Sequence, residues 1–149
     1  MPISIKDMAK CTFSDNRMKA DFENSKALIY KLEDDIIKVQ IKDSASIEEE
    51  DLLEMKVFNK KLAEGKNYYL LFIAGKDAHI SKEAREKSTE KEISENKLAQ
   101  AFVVQSLAHK IIVNFFINIQ KPSMPTKMFT DEKEAINWLK SLKRKSKHE

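Results

Sequence analysis

Glycine, proline and cysteine are scarce in this chain of 149 residues, which contains two, three and one of them respectively. So few glycines and prolines exclude a collagen-like chain and a Gly/Pro-rich disordered chain. They also leave no glycine-rich loop that could bind a phosphate group. The single cysteine, Cys11, excludes an intramolecular disulfide and a metal site built from several thiolates. We therefore expect a chain that folds without cross-links, metal or cofactor.

Recognisable targeting and membrane segments are also missing. The first ten residues, MPISIKDMAK, lack the charged and then apolar pattern of a signal peptide. The most apolar stretch, residues 101–119, is interrupted by charged and amide side chains, so it is too polar for a membrane span. We therefore predict a cytoplasmic protein that does not insert into a membrane.

A large charge of one sign is absent from most of the chain. The formal net charge is +3, and the last ten residues alone carry +4. A nucleic-acid-binding domain normally presents its basic residues across a folded surface. We therefore do not expect nucleic acid as a partner, and we interpret the basic end as a solvated helix terminus.

The length is typical of one domain, and it is sufficient for a substantial core. Residues 1–25 are polar and weakly periodic, which favours an N-terminal extension. The predicted domain covers residues 26–145, and residues 146–149 form a basic C-terminal tail.

The pattern of apolar residues predicts strands that alternate with helices. Ile37, Val39 and Ile41 alternate with polar residues, as in a half-buried strand, and the short acidic connection before them predicts an antiparallel hairpin. The predicted elements are strands over 28–32 and 36–41, a helix that Ser46 caps and Gly65 ends, a strand over 68–74, a helix over 81–96, a strand over 98–104, a helix over 106–119, a strand over 126–129 and a last helix bearing Trp138 on its buried side. This order, β-β-α-β-α-β-α-β-α, indicates a single α/β domain with an N-terminal β-hairpin and a mostly parallel sheet packed against helices.

Two segments carry a resemblance to a known family. The second helix opens with Ser81-Lys82-Glu83-Ala84-Arg85-Glu86, and a later segment runs from Lys121-Pro122 through Pro125-Thr126-Lys127 to Phe129-Thr130-Asp131-Glu132, followed by Ala135 and Trp138-Leu139. With the order of elements, they resemble, over about residues 27–142, small bacterial proteins of the STAS or SpoIIAA-like superfamily (anti-sigma-factor antagonist-like domains), in its uncharacterised "STAS/SEC14 domain-containing" branch. The resemblance implies a STAS/SpoIIAA-like fold, a non-catalytic scaffold used in regulation or ligand sensing, and often a dimer.

Ser81, Asp77 and His79 form a candidate site in the loop after the third strand. In well-studied members of the superfamily, a serine in an Asp-Ser-[Ser/Thr]-Gly sequence at a helix start is phosphorylated by a partner kinase. Ser81 occupies the corresponding position, but residues 76–82 lack both the Asp-Ser pair and the glycine. Ser81 is thus a candidate phosphoacceptor or a plain helix cap. Asp77 and His79 are a candidate ligand site or ordinary loop residues, because open α/β sheets bind ligands beyond the carboxyl ends of their strands.

The helix over 106–119 has more apolar residues than one side facing a sheet requires. Leu107, Ile111, Phe115 and Ile119 are spaced by four, with Ala108, Ile112 and Phe116 beside them. We predict that a homodimer, if one forms, assembles through Phe115, Phe116 and Ile119.

Two functions remain open from the sequence. The first is a non-enzymatic regulatory or protein-interaction domain that binds a protein partner, as in anti-sigma-factor antagonists. The second is a domain that binds or senses a small apolar ligand or lipid (SEC14-like), in a pocket between sheet and helices. No catalytic residues and no metal ligands are predicted, since the three histidines and one cysteine lack the spacing of a metal site.

Overall fold

The computed structural model describes residues 19–33 and 35–147. Within these ranges the strands are β1 (Phe22–Glu23), β2 (Ala27–Glu33), β3 (Ile36–Ile41), β4 (Ser46–Ile47), β5 (Tyr68–Ile73), β6 (His79–Ile80), β7 (Lys97–Val103) and β8 (Thr126–Phe129). The helices are α1 (Glu49–Leu62), α2 (Lys82–Lys87), α3 (Lys91–Ser94), α4 (Leu107–Phe115) and α5 (Glu132–Lys147). A π-helical turn, Phe116–Gln120, continues α4. Residues 1–18 of the predicted N-terminal extension lie outside the described residues.

Six strands form the main sheet, in the order β1-β2-β3-β5-β7-β8. β2 and β3 make the predicted antiparallel hairpin, in which Ile29 is opposite Val39. From β3 onwards, β3, β5, β7 and β8 are parallel neighbours. The short strands β4 and β6 pair separately with each other. The predicted single α/β domain with a mostly parallel sheet is confirmed.

Both faces of the sheet are covered, which explains why β5 is a continuous apolar run. One face packs against α1, α2 and α3, and its buried residues include Ile29, Val39, Tyr68, Leu70, Ala84 and Ile93. The other face packs against α5, and its buried residues include Ile36, Tyr69, Leu71, Ala101, Ala135 and Leu139. Trp138 lies at the rim of this second cluster, where it is half-buried rather than largely buried as predicted. Its ring centroid lies 5.8 Å from that of Phe129.

Two helices begin or end differently from the prediction. Ser46 does not cap α1, because it lies in β4 and is paired with His79 of β6. Glu48 is the N-cap, and its backbone N–H donates to Asp51 Oδ2 at 2.7 Å. The predicted helix over 81–96 is divided into α2 and α3. The hydroxyls of Ser88 and Thr89 donate to backbone carbonyls three residues earlier, at 2.6 and 2.8 Å, and such local bonds compete with a continuing helix.

The segment before β2 contributes an edge strand to the sheet. Although the sequence places residues 22–23 in the extension, Phe22 is opposite Ile29 in the sheet and its ring stacks on that of Phe58 with a centroid separation of 3.5 Å. At the other end, α5 continues to Lys147, into the predicted tail. The sheet and α5 therefore both reach beyond the residues that the sequence assigned to the domain.

Candidate functional site

A cavity of about 130 Å³ lies between the sheet and helices α1 to α4. Its sheet side is lined by Val39, Ile41, Leu70, Phe72, Phe102 and Val104. Its helix side is lined by Leu52, Met55, Ile93, Ile112, Val113 and Phe116. A predominantly apolar cavity of this size can accept a small apolar group. The binding of a small apolar ligand, the second function left open by the sequence, requires a pocket in this position between sheet and helices.

One end of the cavity lies where β3 and β5 end. A Cβ atom at Gly75 would collide with the carbonyl oxygens of Ile41 and Lys42, so only glycine permits this close approach of the two chain segments. The following loops bind each other: the backbone N–H of Lys76 donates to Asp43 Oδ1 at 2.8 Å. The rim at this end is therefore held by a close backbone approach at Gly75 and by a hydrogen bond from the backbone to a side chain.

The three residues of the predicted loop site are placed differently with respect to the cavity. His79 is exposed and lines the cavity, whereas Asp77 and Ser81 do not line it. Asp77 is exposed in a turn with a φ of 57°. Ser81 is the N-cap of α2, and its Oγ accepts a hydrogen bond from the backbone N–H of Ala84 at 3.0 Å. The cap interpretation of Ser81 thus matches its geometry, while its role as a phosphoacceptor stays a prediction.

His109 closes part of the same end of the cavity. Its Nε2 lies 2.7 Å from the carbonyl oxygen of Ala78. Because a carbonyl oxygen only accepts, Nε2 carries the hydrogen and donates it. A second contact comes from Arg85, whose Nη1 donates to the carbonyl oxygen of Ile80 at 3.0 Å. These bonds tie α4 and α2 to the segment between β5 and α2.

Polar side chains line the opposite end of the cavity, near the first residues of β5 and β7. Lys56 and Asn59 come from α1, and Lys97 is the first residue of β7; we call these three residues the amino-end cluster. The Lys56 Nζ lies 3.5 Å from the hydroxyl of Tyr68 and 5.3 Å from the centroid of its ring. Burial raises the pKa of Tyr68 to about 12, so its hydroxyl is neutral beside the lysine.

The charges of the amino-end cluster are poorly stabilised. Burial lowers the pKa of Lys56 to about 8. Burial, together with the positive charge of Lys56, lowers the pKa of Lys97 to about 7. Asn59 is only 3% exposed, and its Oδ1 has no hydrogen-bond partner among the described residues. Buried polar atoms normally have a partner, so this oxygen is an exception.

The amino-end cluster was not predicted from the sequence, although the sequence contains a signal for it. Leu52, Met55, Lys56 and Asn59 follow the helical spacing i, i+3, i+4, i+7, so the two polar residues fall on the apolar side of α1. Lys97 directly precedes the run that forms a buried strand. Polar residues at core positions are the pattern that indicates a site.

Helix α4 is apolar on two sides. Ile112, Val113 and Phe116 face the cavity. The residues spaced by four, with their exposed fractions, form an outer row: Leu107 (73%), Ile111 (60%), Phe115 (51%) and Ile119 (65%). Phe115 and Ile119 of the predicted interface therefore lie on the surface. Phe116, predicted on the same surface, is instead buried, and its ring packs edge-on against Phe102 with a centroid separation of 5.8 Å.

Metal-binding clusters and membrane-spanning helices are both absent from the part of the chain that the structure describes. There, no group of three or more His, Cys, Asp or Glu side chains is placed to hold a metal ion. Nor does any helix of residues 19–33 and 35–147 combine the length and the apolar character that crossing a membrane requires.

The chain belongs to the family described as "Domain of unknown function (DUF7793)", whose model matches residues 30–143. Among solved structures, it is similar to an uncharacterized protein from the DUF3478 family with a SpoIIAA-like fold, from Shewanella loihica PV-4. The TM-score is 0.55 at 16% sequence identity, over 79% of this chain and 98% of that chain. This similarity shows the fold, and it confirms the predicted SpoIIAA-like architecture. No curated protein matches the sequence.

Proposed function

We propose that this chain is a non-enzymatic, STAS-like interaction domain whose outer row on α4 binds a second copy of the chain. The observation that carries this proposal is the outer row itself, in which four large apolar side chains are each more than half exposed. Contiguous apolar surface of this kind marks interaction sites, whereas isolated exposed apolar residues do not.

The chemistry of the outer row favours a second copy as the partner. The row contains no charged residue, and the neighbouring exposed residues Asn114 and Asn118 are neutral. Two identical rows related by a two-fold axis can therefore meet with little like-charge repulsion, as in most symmetric dimers. The Ser81 hydroxyl, two residues after His79, already serves as a helix cap, which supports a binding role over a catalytic one.

Sedimentation velocity across about 1 to 100 µM tests this function. We expect the wild-type chain to dimerise and Ile111→Asp to remain monomeric, because a charge in the centre of the row would be buried without a partner. Val57→Asp is the matched control, since Val57 is equally apolar and 58% exposed but lies on α1. A wild-type chain that stays monomeric, or an Ile111→Asp dimer as strong as wild type, contradicts the proposal.

The cavity supports a second function, the binding of a small apolar ligand. Its lining is predominantly apolar on both the sheet side and the helix side, as is usual for ligand sites. Decanol is a suitable neutral probe, and NMR shifts of cavity residues such as Leu70 and Phe102 would report its binding. Val113→Phe should abolish these shifts because it fills the cavity, while Val57→Phe, outside it, should leave them unchanged. Absence of shifts in the wild-type chain contradicts this function.

A further inference from the structure

We propose that the cavity binds an unbranched amphiphile with a carboxylate head group, and that Lys56, Asn59 and Lys97 hold the head. This inference rests on the proposed ligand-binding function of the cavity, and it names the chemical class of the ligand and its orientation. The alkyl chain would extend from the amino-end cluster along the sheet towards His109.

Among the described residues, the head-group site combines two lysines, which form no ion pair, with a buried amide oxygen that has no hydrogen-bond donor. Lys56 and Lys97 line the same cavity, and neither forms an ion pair with a carboxylate within the described part of the chain. Asn59, which is 97% buried, presents an unpartnered Oδ1 there. Glu95 favours the charged form of Lys56, but its effect is smaller than that of burial, so an anion bound between the two lysines would still be strongly attracted.

A carboxylate would meet the charge and hydrogen-bonding requirements of all three side chains. Its two oxygens can accept a hydrogen bond from each lysine, and charge-assisted bonds of this type are short and strong. Its negative charge also keeps both lysines protonated. Each ammonium then has three hydrogens to donate, and one of them is available for Asn59 Oδ1. A neutral hydroxyl head would leave the two positive charges uncompensated, and a cationic head would be repelled.

The shape of the remaining cavity favours an unbranched chain. The lining residues on the sheet extend from Lys97 to Val104, which is roughly 20 Å along a strand at about 3.3 Å per residue. The cavity is therefore long relative to its volume of about 130 Å³, which favours an extended chain over a bulky or branched one. Phe72, Phe102 and Phe116 line the cavity beyond the polar end, so methylene groups bound there would lose much of their contact with water.

Competitive NMR titrations with decanoate and decanol at near-neutral pH test the proposal, because these probes share a chain length and differ in the head. We expect the wild-type chain to bind decanoate at least about tenfold more tightly than decanol. Lys97→Met should abolish that preference while decanol still binds. Lys61→Met is the matched control, since it removes the same charge from an exposed position on α1, and it should retain the preference.

The outcomes separate this proposal from the function on which it rests. Equal binding of both probes by the wild-type chain overturns the head-group assignment but retains the apolar site. Preference for decyltrimethylammonium over decanoate also overturns the assignment. Binding of no probe overturns both proposals. If Lys97→Met does not fold, Lys56→Met provides the same comparison, and an unchanged preference in that variant contradicts the assignment.

Discussion

Replacing Lys97 by methionine should stabilise the chain, and the size of the effect should depend on pH. In the unfolded chain the pKa of this lysine has its ordinary value of 10.5, and in the folded chain burial and the charge of Lys56 lower it to about 7. Between these two values the unfolded state binds more protons, so the free energy of unfolding of the wild type rises with pH. Below about pH 7 Lys97 is protonated in both the folded and the unfolded state, and the folded state carries the full penalty of a buried charge.

The magnitude follows from the pKa shift and the exposure of the side chain. One pKa unit corresponds to about 1.4 kcal/mol, so the full shift sets an upper limit on the order of 5 kcal/mol. Lys97 retains some contact with solvent, which reduces this penalty. We therefore expect Lys97→Met to raise the free energy of unfolding by about 1–3 kcal/mol at pH 6, since methionine has a similar length and no charge.

Urea denaturation between about pH 6 and pH 9 measures this effect. The wild-type chain should gain stability over this range, to which Lys56 contributes in the same direction because its pKa is lowered to about 8. Lys97→Met should show a smaller gain, so the difference between the two proteins should shrink as the pH rises. Lys61→Met, at an exposed position, should follow the wild type. A variant no more stable than wild type at pH 6 would refute the reasoning.

Three further substitutions test the packing by urea denaturation. Trp138→Ala should lower the free energy of unfolding by about 2–3 kcal/mol, because the ring is half-buried against Phe129. This loss is smaller than the roughly 3–5 kcal/mol expected for a fully buried aromatic residue. A loss under about 1 kcal/mol would place α5 outside the core. Ser81→Ala should cost about 1 kcal/mol, as expected for an N-cap, and an unchanged midpoint would contradict that role. Gly75→Ala should cost about 1–3 kcal/mol because the backbone at Ile41 must move, and full wild-type stability would contradict the close approach.

The local pattern of the sequence was sufficient to predict the longer strands and the fold class, but not the short strands β1, β4 and β6 or the division between α2 and α3. Alternation in Ile37, Val39 and Ile41 identified β3, because successive side chains of a strand point to opposite faces. Gly65 was predicted to end α1. The helix ends at Leu62, and Glu64 (φ 55°) and Gly65 (φ 77°) after it are both in the left-handed region. The parallel sheet followed from the alternation of strands and helices, since this order favours right-handed crossovers. These features depend on residues that are close together in the sequence, so they can be predicted without the tertiary structure.

Only the tertiary structure decided which side of each element is buried and which residues meet. The apolar row that contains Leu107 and Ile111 has the spacing of a buried helix face, yet it is exposed. The face that is buried contains Val113 and Phe116, because that side of the helix covers the cavity. Lys38 is one of the polar residues that alternate with Ile37, Val39 and Ile41 in β3. It is nevertheless buried and pairs with Glu132 at 2.9 Å, because β3 lies inside the sheet between β2 and β5.

The candidate site shows the same division between sequence and structure. Lys56 and Lys97 are 41 positions apart in the chain, and no local pattern relates one to the other. They line the same cavity because α1 crosses the sheet above the first residues of β5 and β7. The shift in the pKa of each lysine arises from that shared burial and not from its own neighbours in sequence. The sequence thus shows that two lysines are present, whereas their lowered pKa values depend on a contact that only the folded chain makes.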